Sequence, residues 1–185
     1  MTHGQLVTLA TRWLRSKYGC GVVLSEQACC TGEMPDVIGW KGKCRSVVIE
    51  CKVSRADFLA DRTKPWRLKP EIALGCERFY AAPKGMLRVN EIPPSWGLLE
   101  QRGNAFALTL KPARNSQRTS SALMSEMNLL LSSLRRVELR IEPRTITDFL
   151  KWKNRLADYN GGNLPEGVPP IEEEQNSYIS ANAAD

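Results

Sequence analysis

Asp36, Glu50 and Lys52 are the residues of this chain whose types and spacing are best suited to chemistry. Glu50 and Lys52 stand two apart within RSVVIECKV, residues 45–53, the strongest strand signal in the sequence. Side chains on a strand alternate faces, so Glu50 and Lys52 share one side and Cys51 points into the opposite layer. Asp36 opens the preceding strand, DVIGW, and a tight turn at Lys41-Gly42-Lys43 pairs that strand with the Glu50 strand. Such a hairpin brings Asp36 and Glu50 to one edge, two carboxylates with a lysine alongside. Neighbouring carboxylates are costly unless a cation neutralises them. Their oxygens suit Mg²⁺ or Mn²⁺, which can polarise a phosphodiester and supply hydroxide for in-line attack. Lys52 would orient the attacking water or stabilise charge in the transition state. An exposed cross-strand ion pair is the plainer alternative. Against it, Glu50 ends the apolar run Val47-Val48-Ile49, which should be buried, and buried charges need a partner or a metal.

Other chemistries have fewer residues to work with. His3 is the only histidine, at a terminus expected to be mobile. A Ser-His-Asp triad, an H-E-x-x-H zinc helix or a histidine nuclease would each have to use it. The cysteines, Cys20, Cys29, Cys30, Cys44, Cys51 and Cys76, form no C-x-x-C pair, so reduced, mostly buried thiols are expected rather than zinc or disulfides. Carboxylates and lysine are left to carry the chemistry.

The elements that must position these groups are legible in the periodicity. At 185 residues the chain suits one domain with an appendage. Leu6, Leu9, Ala10, Trp13 and Leu14 predict an amphipathic opening helix over 4–17. Strands follow over 21–26, 36–40 and 45–53. Ser54 caps a helix of sequence ADFLADRTK, and Pro65 and Pro70 break the pattern after it. Residues 78–82 read as a buried strand, and 96–101 and 105–110 as a hairpin around Arg102-Gly103-Asn104. Residues 112–120 are a polar, basic linker. Residues 121–137 carry Leu123, Met127, Leu130, Leu131 and Leu134 on one stripe, and 146–159 form a second helix, together a helical hairpin. The resulting expectation is an α/β domain over 1–111, the helical appendage over 112–160 and an acidic, disordered tail over 161–185.

Charge points to a partner. The chain carries a net charge of +6, and all 26 Lys and Arg lie within residues 1–159. Beyond them stand only Glu166, Glu172, Glu173, Glu174 and Asp185 as charged groups. A basic body attracts polyanions, phosphate backbones above all. No apolar run reaches the roughly 20 residues a membrane span needs, and the first 18 residues do not read as a signal peptide. A cytoplasmic protein without membrane contact is expected.

The string PDVIGW, nine residues and then ECK resembles the PD-(D/E)XK nuclease superfamily, the restriction-endonuclease-like proteins. RSVVIECKVSRADFLADR, RFYAAP and WGLL extend the resemblance to small bacterial and phage-borne members, over residues 20–102. The bare motif is common by chance. Its position on a hairpin, a central strand and a capped helix makes it more specific. The resemblance implies a mixed central β-sheet flanked by helices, with Asp36 and Glu50 as metal ligands and Lys52 as the catalytic lysine. An upstream acid often joins that pair in the family. Glu26 at the end of the first predicted strand is the choice here, Glu33 the rival, and the opening helix offers only Gln5.

After the site, Ser54, Arg55, Arg62, Lys64, Arg67 and Lys69 form a basic cluster around Trp66, with Arg55, Arg62, Lys64 and Arg67 expected to grip phosphates. The plainer alternative is a solvated helix face with Asp57 and Asp61 balancing part of that charge, and a mixed role is the reading adopted. Arg114, Arg118, Arg135, Arg136, Arg140 and Arg144 extend the track. The expected function is a Mg²⁺- or Mn²⁺-dependent nuclease hydrolysing DNA by metal-activated water, in DNA repair or phage biology. The alternative is a catalytically silent module of the same fold that binds DNA or a protein partner, and the helices over 121–159 offer a surface for a homodimer or such a partner.

Overall fold

The computed structural model describes residues 1–138 together with 146, 147 and 150. The chain divides into two units, Met1–Leu131 and Ser132–Asp185. The account below concerns the first.

Helix α1 (His3–Ser16) is followed by β1 (Val22–Ser25), β2 (Val37–Lys41) and β3 (Arg45–Cys51). Helices α2 (Arg55–Asp61) and α3 (Pro65–Leu68) lead to β4 (Glu77–Pro83). A 3₁₀ turn at Val89–Glu91, strands β5 (Trp96–Arg102) and β6 (Ala105–Leu110), and helix α4 (Ser120–Glu138) complete the order. The strands form one six-stranded sheet in chain order. β3, β4 and β5 run parallel, and the outer pairings are antiparallel. This is the expected α/β architecture, a mixed central sheet flanked by helices. Of the expected helical hairpin, α4 is its first arm; most of the second, and the 161–185 tail, lie outside the described residues.

Strand parity divides the core into two layers. Val47, Ile49 and Cys51 of β3 with Phe79 and Ala81 of β4 pack beneath Leu6, Ala10, Trp13 and Leu14 of α1. The opposite face carries Val48 and Ile38 against Leu74 and Leu129, and Tyr80, Ala82 and Leu98 against Phe58 of α2. β3 is therefore covered on both sides, as its unbroken apolar run requires. Gly97 is forced by this packing. A Cβ there would stand 2.4 Å from the Phe79 ring and 2.8 Å from the Leu110 carbonyl.

Two local devices set the register at the site. The β2–β3 hairpin closes through Gly42, Lys43 and Cys44, the last two at positive φ, and pairs Lys41 with Arg45 and Val37 with Ile49. Ser54 Oγ accepts the Asp57 amide at 3.2 Å, starting α2 directly after β3. The expected helix over 56–64 is shorter than its pattern. It ends at Asp61, and Pro65 restarts the chain as the separate turn α3, where a proline costs no hydrogen bond.

Residues 112–119 are a strap tied to the body. The Ala113 amide donates to the Ser95 carbonyl at 3.0 Å, the Asn115 amide to the Cys76 carbonyl at 2.8 Å, and the Asn115 side chain to the Pro70 carbonyl at 2.7 Å. The strap delivers α4 so that Leu129 is buried and Glu126 accepts from Ser46, Gly75 and Arg118. The first unit thus runs beyond residue 111, through the opening turns of α4.

Candidate functional site

The β2–β3 register, continued one step past Val37 and Ile49, sets Asp36 opposite Glu50 at the edge where β3 ends. Asp36 Oδ2 accepts the Cys51 amide at 2.6 Å, which ties the loop before β2 to the end of β3. Glu50 and Lys52 are both 3% exposed at the side chain, on the layer opposite Cys51, with Lys52 Nζ 3.9 Å from Glu50 Oε2. The hairpin therefore assembles Asp36, Glu50 and Lys52 as its strand parity requires.

Electrostatics make this a stressed cluster. Burial pushes the Glu50 carboxyl up to about 7, opposed by Arg67 and Arg78 and reinforced by the Asp36 charge. Arg67 and Arg78 each place a guanidinium nitrogen near Glu50 Oε1, at 3.8 and 3.7 Å. Burial also raises Asp36 above its ordinary value, against the Cys51 amide and the charge His3 can carry. Burial works against the Lys52 ammonium, yet Asp61 and Glu50 outweigh it and hold the amine above its ordinary value.

Sequence reasoning missed the group that organises this cluster. Asp61, which the plainer alternative leaves on a solvated helix face, has a fully buried side chain. It lies 3.1 Å from Lys52 Nζ, accepts the Tyr80 hydroxyl at 2.6 Å and Arg67 Nε at 2.5 Å, and sits 2.8 Å from Lys64 Nζ. Burial alone would raise this carboxyl, but Arg67, Lys64, Tyr80 and Lys52 hold it well below the usual carboxylate range. The helix pattern carried one signal. Phe58 and Asp61 are three apart, so the face that buries Phe58 buries Asp61 as well.

The upstream acids resolve differently. Glu26 extends the β1–β2 ladder beside Asp36, its amide donating to the Asp36 carbonyl at 3.1 Å, with the side chain 59% exposed. Glu33 turns inward instead. Buried, it meets Arg78 at 2.6 Å and accepts the Leu74 amide at 2.9 Å, so its charge is spent within the fold. Gln5 is occupied in a capping box with Thr2. That same box fixes His3, which was expected at a mobile terminus. As the first residue of α1, His3 places Nε2 3.5 Å from Asp36 Oδ1 and 3.9 Å from Glu26 Oε1.

The expected phosphate-gripping residues are not gathered into one exposed set. Arg67 is 5% exposed at its side chain and bound to Asp61, with its guanidinium carbon 3.7 Å from the Trp96 ring centre. It belongs to the interior because Trp96 and Asp61 cover it. Arg55 is held by Glu91, at 3.0 and 2.5 Å. Lys64 faces Asp61, and Arg62 lies 5.4 Å from the Phe58 ring centre. Arg118 is likewise interior, paired with Glu126, whereas Arg114 is 66% exposed. Arg140 and Arg144 lie outside the described residues. All six cysteines are free; Cys20, Cys29 and Cys51 are buried, whereas Cys30 and Cys44 are exposed. No helix of the described residues is long and apolar enough to cross a membrane.

The chain matches no family model and no curated protein. Its fold resembles a solved structure, the SPO1766 protein of unknown function from Silicibacter pomeroyi. The two are 25% identical, with a TM-score of 0.59, and the match covers 75% of this chain and 91% of that one.

Proposed function

We propose that this protein is a metal-dependent nuclease that hydrolyses DNA phosphodiester bonds, with Asp36 and Glu50 as metal ligands and Lys52 as the catalytic lysine. The observation that carries the reading is the placement of Asp36 opposite Glu50, with the Glu50 carboxyl buried and raised to about 7 beside Lys52. A buried carboxyl held against ionisation is one that a divalent cation would stabilise. The donor set is oxygen-rich and suits Mg²⁺ or Mn²⁺, with Glu26 as the exposed third acid. Among the described residues no three His, Cys, Asp or Glu side chains form a ready-made metal cluster. When bound, the ion would supply an activated water and polarise the phosphodiester.

The protein's own groups have distinct roles in this reading. Asp36 is oriented by the Cys51 amide, so its free oxygen lies toward the edge where His3 and Glu26 stand. Lys52 keeps its proton through Asp61 and Glu50, and donates to the attacking water or to a phosphoryl oxygen. Asp61 is a positioning residue that holds the ammonium. Surface lysines and arginines attract the DNA backbone without reading its sequence.

One observation favours the alternative, a silent module of the same fold that binds DNA or a protein partner. Glu50 has three cations within 4 Å, Lys52, Arg67 and Arg78, which could balance its charge in place of a metal. Incubation of the purified chain with single-stranded, duplex and branched DNA and Mg²⁺ or Mn²⁺ separates the two. Metal-dependent cleavage that disappears in Lys52→Ala is the expected result. No cleavage of any substrate with either ion would leave the binding module.

A further inference from the structure

A cavity of about 420 Å³ opens beside the site, between α3, the starts of β4 and β5, and the strap 113–117. Three arginines line it, Arg67, Arg78 and Arg114, and no acidic residue does. Its flat apolar wall comes from Trp66, Trp96 and the Pro93-Pro94 pair. The volume is that of a small-ligand site rather than of a packing defect.

Its wall also holds donors with nothing to donate to. Trp66 Nε1, Arg67 Nη1 and Arg78 Nε are all buried without a hydrogen-bond partner among the described residues. Arg67 and Arg78 are each 5% exposed at the side chain. Buried N–H groups left unpaired are costly, and those of a guanidinium more so. Arg67 Nη2 also lacks a hydrogen bond, standing 2.5 Å from Asp61 as an ion pair, whereas the other guanidinium nitrogens are committed. Arg67 Nε donates to Asp61, and Arg78 donates to the Leu74 carbonyl and to Glu33. The residues that carry these donors all line the cavity, and its two buried arginines also reach Glu50. Arg114 stands at the rim, 66% exposed and 4.0 Å from Glu77.

We propose that this cavity binds a phosphomonoester nucleotide, free or as the phosphorylated end of a strand. The phosphate is held by the arginine and indole donors, and the base lies against the Trp66, Pro93 and Pro94 surface. A wall of donors without carboxylates selects an anion, and a planar apolar wall in the same cavity selects an anion joined to a ring system. The choice of a nucleotide over another aromatic phosphate ester rests on the nuclease reading; phosphate binding at this wall does not. The pinned strap makes the cavity a standing feature, since Ala113 and Asn115 bond to Ser95, Cys76 and Pro70.

Calorimetric titration of the full chain in EDTA tests the proposal, with thymidine 5′-monophosphate, thymidine and inorganic phosphate as probes. Saturable one-to-one binding of the monophosphate is expected, with the other two at least about tenfold weaker, the loss of one charge-assisted hydrogen bond or more. Arg114→Glu at the rim and Trp66→Phe, which keeps a ring and removes the indole N–H, should each weaken the monophosphate by about tenfold. Circular dichroism confirms that both variants are folded. Absence of monophosphate binding, or equal affinity for thymidine, or wild-type affinity in both variants, overturns the proposal. Phosphate binding as tight as the monophosphate overturns the nucleotide assignment. Because the titration excludes divalent ions, its result is independent of cleavage. A chain that binds the monophosphate yet cuts nothing keeps this site and loses the nuclease reading, and the reverse outcome does the opposite.

Discussion

Lys52 Nζ lies 3.1 Å from Asp61 Oδ1, and neither side chain is more than 3% exposed. The pair joins the end of β3 to the end of α2, and Tyr80 and Arg67 complete it through the other Asp61 oxygen. Removing one partner of a buried charge cluster leaves the others uncompensated, at a typical cost of about 3–5 kcal/mol.

Asp61→Asn is therefore expected to destabilise the protein by several times the effect of a surface substitution, read as a lower midpoint of denaturant unfolding. Asp61 also gives the fold an acid sensitivity. Its folded carboxyl is held below the ordinary value of 3.8, so its stabilisation is complete above that value and is lost as pH falls through and below it. The Asn variant should lose this acid-limb dependence. A variant as stable as wild type, with the same acid limb, would remove Asp61 from its organising role.

Glu50 predicts the opposite slope. Its folded value of about 7 stands above the ordinary 4.5, so the metal-free protein loses stability as pH rises from 4.5 through 7. Glu50→Gln removes the ionisable group while keeping its shape. It should be more stable than wild type at pH 8 without metal, by on the order of 3 kcal/mol at most, and equal to it near pH 5. Thermal unfolding in EDTA at both pH values decides this.

Metal binding should couple to the same group. Below pH 7 a cation entering at Glu50 displaces a proton, so Mg²⁺ or Mn²⁺ should bind more tightly as pH rises toward 7 and level off above it. Titration at pH 6 in two buffers of different ionisation heat should show proton release that disappears at pH 8. Asp36→Asn, which keeps the acceptor for the Cys51 amide, should abolish both metal binding and cleavage.

Lys52→Ala and Lys52→Arg separate charge from position. Both should lower the cleavage rate by at least about 100-fold, because the planar guanidinium cannot reproduce the ammonium contacts with Asp61 and Glu50. Rates are compared at saturating DNA, with DNA affinity measured in parallel and expected to change little. Wild-type cleavage by Lys52→Ala would end the assignment.

Gly97→Ala tests the layer beneath the site. A methyl group 2.4 Å from the Phe79 ring forces that ring to move against Trp13 and Tyr18, whose ring centres are 5.6 and 5.5 Å away. Overpacking of this kind costs about 1–3 kcal/mol. The loss should appear as reduced stability with the metal affinity of the folded fraction unchanged.

The sequence by itself determined the order of the strands and helices and the pairing of Asp36 with the Glu50–Lys52 strand. Those features rest on period-two alternation, a short turn and a Ser cap, all encoded within residues 36–54. The tertiary structure decided which charged groups are interior. Asp61, Arg67, Arg78 and Glu33 come from four separate stretches, and no local pattern brings their charges together. They are buried because β4 and β5 set Tyr80 and Trp96 under α2 and α3, leaving the charges to satisfy one another. His3 follows the same logic, since a capping box holds it in α1 and the packing of α1 on the sheet delivers it to Asp36. Local pattern specifies an element's face; which polar groups that face must enclose depends on the element packed against it.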